Sequence, residues 1–130
     1  MSENFKIEIV NPEKSFLSKE EVSEVVVPAF EGEIGILKDH IPIISFLKPG
    51  IIKVSIGSEV ENYYVEDGIV EFKDNNLTIL TSSISNINEM KKDRIDTILS
   101  EAEKNSQDKE ISDQQKYLAD QKIEVLKSIN

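Results

Sequence analysis

The chain has 130 residues, 38% hydrophobic and 31% charged, with a formal net charge of −10 and no cysteine. That length suits one compact domain, or a small domain with an appendage. The acid excess argues against nucleic acid, whose phosphates call for a concentrated basic surface, and the lack of thiols excludes disulfides and thiolate metal sites.

The N-terminal MSENFKIEIV has neither the basic-then-apolar order of a secretory signal nor the Arg-rich, acid-poor character of a mitochondrial presequence. Phe5, Ile7 and Ile9 alternate with polar neighbours, the two-residue period of a half-buried strand. Further short apolar blocks follow at Val25–Val27, Ile41–Phe46, Ile51–Ile56, Tyr63–Val65, Ile69–Phe72 and Leu77–Leu80. Turn signals separate them: Asn11-Pro12, Glu31-Gly32, Pro49-Gly50, Gly57-Ser58, Asp67-Gly68 and Asp74-Asn75-Asn76. Many short strands at near-regular spacing predict an antiparallel β-sandwich or barrel over residues 1–86. No apolar run approaches the roughly 20 residues of a membrane span, so membrane association is expected only through a partner.

After Asn86 the period changes. Ile95, Ile98, Leu99 and Ala102 form one helical stripe, and Asn86 with Glu89 marks a helix start. The polar run 105–110 reads as a turn. Ser112 with Gln115 forms a second capping box, opening a helix whose apolar face carries Leu118, Ala119, Ile123, Val125, Leu126 and Ile129. Residues 87–130 are thus predicted to be an antiparallel α-helical hairpin, its stripes serving as core against the sandwich. Burial of each large apolar side chain is worth about 1.5–3 kcal/mol, so docking should be favourable by only a few kcal/mol after ordering costs.

Charge is uneven along the chain. Residues 1–86 hold 7 Lys/Arg against 15 Asp/Glu, a net −8, whereas residues 87–130 hold 8 against 10. The front segment therefore suits a partner with basic residues. Asp39-His40 offers a proton-transfer pair on paper, but a catalytic site also needs a third group and a pocket, and neighbours in sequence seldom point at each other. Glu31 and Glu33 are too few for a hard-cation site, which needs more oxygen ligands on a shaped loop. No catalytic or metal-binding set is expected.

Three stretches carry a family resemblance: EGEIGIL-x-x-HIPII (Glu31–Ile44), FLKPGIIKV (Phe46–Val54) and YYVEDGIVEFKDNNLTILTSS (Tyr63–Ser83). In this order, ahead of a helical hairpin, they closely resemble the epsilon subunit of F-type ATP synthases. The resemblance implies a non-catalytic central-stalk rotor subunit that couples the gamma subunit to the proton-driven c-ring. It assigns gamma contact to Asp39, His40, Ile41, Pro42 and Ile43, and c-ring contact to Glu31, Glu33 and Ile34. A loop His bonded to backbone and a solvated acidic turn are the plainer readings. The expected location is peripheral, on the cytoplasmic face of a bacterial plasma membrane, with a plastid-encoded origin equally open.

The family often has Pro-Gly before the His, where this chain has Lys38-Asp39. A type I turn tolerates that pair. A second Gly often adjoins Gly68, and Asp67 in its place is expected at positive φ. Some relatives bind ATP through an apolar-Asp-x-x-Arg-Ala pattern in the first helix. Arg94 is retained here, but Lys91 and Ile95 replace the Asp and Ala, so the motif is degraded and no cofactor is expected. In bacterial relatives the hairpin can extend and block ATP hydrolysis through contact with the beta subunit, with alpha the other candidate neighbour. Residues 106–130 carry a net −1, which predicts mild inhibition or none. The alternatives are a free-standing β-sandwich ligand-binding module and a nucleotide-sensing regulator.

Overall fold

The structure, a computed structural model, describes residues 4–12 and 14–129. The reading of the extreme N-terminus begins on residues 1–3, outside the described residues. Ten strands are found among those described: β1 (Phe5–Asn11), β2 (Lys14–Val22), β3 (Glu24–Ala29), β4 (Gly32–Ile36), β5 (Ile43–Leu47), β6 (Gly50–Ile56), β7 (Glu59–Val65), β8 (Gly68–Lys73), β9 (Asn76–Leu80) and β10 (Ile84–Asn86). A 3-10 turn, Ile87–Glu89, leads into α1 (Lys92–Gln107) and α2 (Asp113–Ile129).

The strands join in the order β10-β7-β6-β3-β5-β8-β9-β1-β2, with β4 on β3. This single ladder curls over so that β2 packs on β6, and the Phe16 ring meets Tyr63 edge-on at 5.7 Å. The expected sandwich is therefore one sheet folded onto itself. Its interior holds Ile7, Ile9, Val25, Val27, Ile36, Ile52, Val54, Val70, Phe72, Leu77 and Ile79, with Phe5 edge-on to Phe72 at 5.5 Å. Alternation produces this core: Ile7 and Ile9 on β1, and Val70 and Phe72 on β8, point to one side. β1 lies parallel to β9, from Lys6↔Asn76 to Val10↔Leu80, and antiparallel to β2.

Three strands are absent from the sequence expectation. β2 carries Lys19, Glu20 and Glu21 along a free edge, where charge guards an unpaired ladder. Bulges at Phe5/Ile7 and Ile9/Val10 further disturb the period of its pairing with β1. β4 follows the Glu31-Gly32 turn signal and contains a second glycine, Gly35, so it shows no strand pattern, yet it pairs with β3 from Ala29↔Gly32 to Val25↔Ile36. β10 is only three residues long.

Some turn assignments also change. Asp67 does not adopt positive φ. Gly68 does, at +148°, and a Cβ there would lie 2.6 Å from the Leu80 carbonyl oxygen. Gly50 is needed for another reason: a Cβ would fall 2.4 Å from Pro28 Cβ, so close approach of β6 to β3 requires its absence.

The helical hairpin forms with shifted ends. Asn86 caps the 3-10 turn, accepting from Asn88 N at 2.9 Å, and α1 begins only at Lys92. The turn expected at 105–110 starts later, since α1 runs through Gln107. The second capping box is present as expected, with Gln115 N donating to Ser112 Oγ at 3.1 Å and Ser112 N to Gln115 Oε1 at 2.9 Å. Ile95 and Leu126 bury against Tyr64 of β7, with Ile51, Ile98, Leu99 and Val125 packed around them. The α1 stripe is thus core between hairpin and sandwich.

Candidate docking surface

β5, β8 and β9 present apolar residues on both faces. Inward go Leu47, Val70, Phe72, Leu77 and Ile79, together with the polar Ser45; outward go Ile44, Phe46, Ile69 and Leu80. Ile44 is 71% exposed, Phe46 62%, Leu80 49% and Ile69 40%. Phe46 stands directly opposite Ile69, and Ile69 opposite Leu80, so the three form one row across three strands. Beside them lies a groove of about 610 Å³, lined by Val10, Pro12, Phe46, Ile69 and Leu80, with Asp67 on its polar side. Ser82 Oγ donates to both Asp67 carboxylate oxygens, at 3.1 and 3.2 Å, and Thr81 Oγ1 donates to the Asp67 carbonyl at 2.7 Å.

The segment before β5 extends this surface. Ile41 is 72% exposed and Pro42 is exposed beside it. Ile43, expected among the contact residues, turns inward and packs on the core. His40 donates Nδ1–H to the Ile41 carbonyl at 2.7 Å, and its ring meets Phe72 edge-on at 6.1 Å. Asp39 and His40 do not face each other as a pair: the Asp39 carboxylate accepts from Asn75 Nδ2 at 3.0 Å. Lys38-Asp39 does not form the type I turn expected. Asp39 has φ +66° and His40 N donates to Leu37 O at 3.1 Å, the pattern of a type II turn.

The β3–β4 turn lies at another corner. The Glu31 carboxylate accepts from Ser45 Oγ at 2.7 and 3.0 Å; this hydroxyl, and then the Glu31 backbone N–H, hold its pKa below the ordinary value of 4.5. Glu33 is exposed on β4, and Ile34 packs against the core. The two acids thus differ: Glu31 is tied to the strand beneath it, while Glu33 points to solvent. The Phe30 ring stacks on Tyr117 of α2 at 6.5 Å, and Lys48 Nζ donates to the Tyr117 hydroxyl at 3.4 Å. Sequence reading missed Ile44, Phe46, Ile69, Leu80 and Tyr117. Apolar residues at both parities of β5 were the available signal for the first two.

Arg94 is exposed on α1 and lines a cavity of about 450 Å³ between hairpin and sheet. Lys122 and the carboxylates of Glu66 and Glu101 line it too. Lys122 Nζ lies 3.6 Å from Glu66 Oε1, and the Tyr64 hydroxyl donates to Glu66 Oε2 at 3.0 Å. Burial, then the Glu66 charge, push the Tyr64 pKa well up, so the phenol keeps its proton and remains a donor. The cavity therefore presents both signs of charge, with one of its cations already engaged. Among the described residues, no group of three or more His, Cys, Asp or Glu is placed to hold a metal ion.

A curled sheet with a helical hairpin docked on it defines a class of small β-sandwich proteins with a helical appendage. The profile of the family described as "ATP synthase, Delta/Epsilon chain, beta-sandwich domain" matches residues 4–87. The chain is 72% identical over 130 residues, the whole of both chains, to the ATP synthase epsilon chain of Pelagibacter ubique (strain HTCC1062). It is 37% identical over 109 residues, 83% of this chain and 80% of the relative, to that of Rhizobium etli (strain CIAT 652). Two cryo-EM structures share the fold. One, of Euglena gracilis mitochondrial ATP synthase, OSCP/F1/c-ring, gives TM-score 0.77 at 21% identity over 98% of this chain and 79% of the other. The other, of the Tetrahymena thermophila mitochondrial ATP synthase central stalk and c-ring, gives 0.70 at 18% over 98% and 96%. The chain belongs to the ATP synthase epsilon-chain family and is a subunit of that complex. Among the described residues, no helix is long and apolar enough to cross a membrane.

Replacing Ser45 with Ala should raise the Glu31 titration midpoint toward 4.5, read by NMR. The sign for stability follows from linkage: a depressed carboxylate pKa stabilises the fold above the unfolded value, and that gain disappears as pH falls through the folded value. The stability gap between wild type and Ser45→Ala should therefore be full near neutrality and shrink in acid. A gap that widens in acid contradicts it.

Proposed function

We propose that this chain is a non-catalytic rotor element of the central stalk, docking the gamma subunit on one surface and the c-ring on another. The outer row Ile44, Phe46, Ile69 and Leu80, continued by Ile41 and Pro42, takes gamma; the β3–β4 turn takes the polar loops of the c-ring, with Glu33 the free acid. The observation that carries this reading is the apolar row itself. Contiguous apolar surface on a folded domain marks an interaction site, and its aromatic member is the residue type that anchors interfaces. Asp39 and His40 flank the row. The net −8 of residues 1–86 suits basic residues on the partners. The solved relatives come from F1/c-ring and central-stalk assemblies, which supports the same placement here. Through these contacts the chain is held at the membrane, on the cytoplasmic face, without inserting.

Phe46→Glu should weaken binding to the cognate gamma subunit about 30-fold or more, the scale of a buried anchor, while unfolding stability shifts by only about 0.5 kcal/mol. Glu33→Lys should leave gamma binding intact and reduce recovery with the c-ring. Calorimetry and co-purification read the two effects. Wild-type affinity in Phe46→Glu ends this assignment.

The hairpin is read as a docked appendage rather than a nucleotide sensor. Glu66 and Glu101 face the same cavity as Arg94, so a polyphosphate there meets repulsion as well as attraction. Titrating the full chain with millimolar ATP should give no heat and no melting shift; saturable heat reverses this reading. The net −1 of residues 106–130 gives weak electrostatic capture by any acidic neighbour. Removing residues 87–130 should accordingly change ATP hydrolysis by the assembled complex by less than about twofold, within 0.5 kcal/mol of barrier. A rise of tenfold overturns it.

A further inference from the structure

The turn that introduces His40 is held from outside. Leu37–His40 has the hydrogen bond of a β-turn and positive φ at its third residue, a position that favours Gly because a Cβ crowds the left-handed region. Asp39 occupies it at φ +66°. Two hydrogen bonds from a residue 36 positions away secure it: Asp39 N donates to Asn75 Oδ1 at 2.7 Å, and Asn75 Nδ2 donates to Asp39 Oδ1 at 3.0 Å. The amide of Asn75 thus reads both the main chain and the side chain of Asp39.

Asn75 is itself firmly placed. Asp74 and Asn75, at φ +52° and +58°, form the two-residue turn of the β8–β9 hairpin, the type I′ arrangement that matches strand twist. The Asn75 carbonyl accepts from Lys6 N at 3.1 Å, and Asn76 Nδ2 donates to the Asp74 carbonyl at 3.0 Å. One jaw of the clasp is therefore anchored in the sheet at β1, β8 and β9. The other jaw holds a stretch, residues 40–42, that has no ladder of its own before β5 begins at Ile43.

We propose that Asn75 is a positioning residue for the His40–Pro42 segment, fixing the Asp39 turn so that this segment is presented ready-made to the gamma subunit. The inference rests on the docking reading above. It also accounts for the presence of Lys38-Asp39 in a turn whose φ signs suit Pro-Gly: Asn75 supplies from across the surface what Gly supplies locally. A segment already ordered before association loses less freedom on binding, so the clasp acts on affinity rather than on contact area.

The test uses the full chain and the cognate gamma subunit. Asn75→Gly removes the amide while creating Asp-Gly, the pair a type I′ turn favours, so the β8–β9 hairpin keeps its geometry. In this variant the backbone order parameters of residues 38–42 should fall from about 0.85 toward 0.6, and gamma binding should weaken about tenfold. Adding Asp39→Gly should return the order parameters of residues 40–42 toward about 0.85, since Gly takes the positive φ unaided. Unchanged order parameters in Asn75→Gly overturn the proposal. So does mobility in residues 40–42 that Asp39→Gly fails to reverse, because the φ of Asp39 is then not what Asn75 secures. A wild-type chain that does not bind gamma removes the docking reading, and the order parameters then decide alone whether Asn75 holds the turn.

Discussion

Parity along three adjacent strands governs this molecule. On β5, β8 and β9 a side chain points either into the fold or away from it, and its neighbour must do the reverse. Leu47, Val70, Phe72, Leu77 and Ile79 fill the interior, and full burial of each is worth about 1.5–3 kcal/mol. A one-residue slip would eject all of a strand's inward set at once, so the register is strongly held. Phe46, Ile69 and Leu80 are outward as a direct consequence. The core thus holds the outer row in place, with no adjustable loop between them.

The joint between sandwich and hairpin is built differently. Tyr64, Ile95 and Leu126 make a small second cluster, separate from the main core. A few side-chain ties cross the same joint: the Glu66–Lys122 pair, the Lys48–Tyr117 hydrogen bond and the stacked Phe30 and Tyr117 rings. Such partly exposed charge pairs contribute little. Most of the holding comes from apolar contact, and its extent is modest beside that of the main core. The hairpin also has internal support, with Ser106 donating to Asp120 and Lys116 pairing with the same carboxylate at 3.0 Å. It can thus keep its own form while its attachment stays comparatively weak.

Much of the fold was legible because strict alternation and helical stripes are local signals. Phe5-Ile7-Ile9 and Ile95-Ile98-Leu99-Ala102 announce their elements without help. β2 and β4 were hidden for opposite reasons, one by edge charges and bulges, the other by glycines that resemble a loop. The helix start was misplaced because Asn86 does cap, but caps a 3-10 turn that hands over to α1 three residues later. Within the candidate site, Asp39, His40, Ile41 and Pro42 were legible from the turn residues and the family resemblance. Ile44 and Phe46 were not, because an apolar residue's direction depends on which parity the sheet claims. Asn75 was beyond reach of any local pattern, since its partner lies 36 residues away.

The parallel alignment of β1 with β9 brings Lys6 beside Asn76. The first strand formed by the chain therefore cannot complete its pairing until some seventy further residues are available. Closing so long a stretch is entropically unfavourable and slow compared with zipping a hairpin. During synthesis, Ile7 and Ile9 have only β2 to pair with until the β8–β9 hairpin emerges. The sandwich is consequently sealed late, by the return of its end onto its beginning.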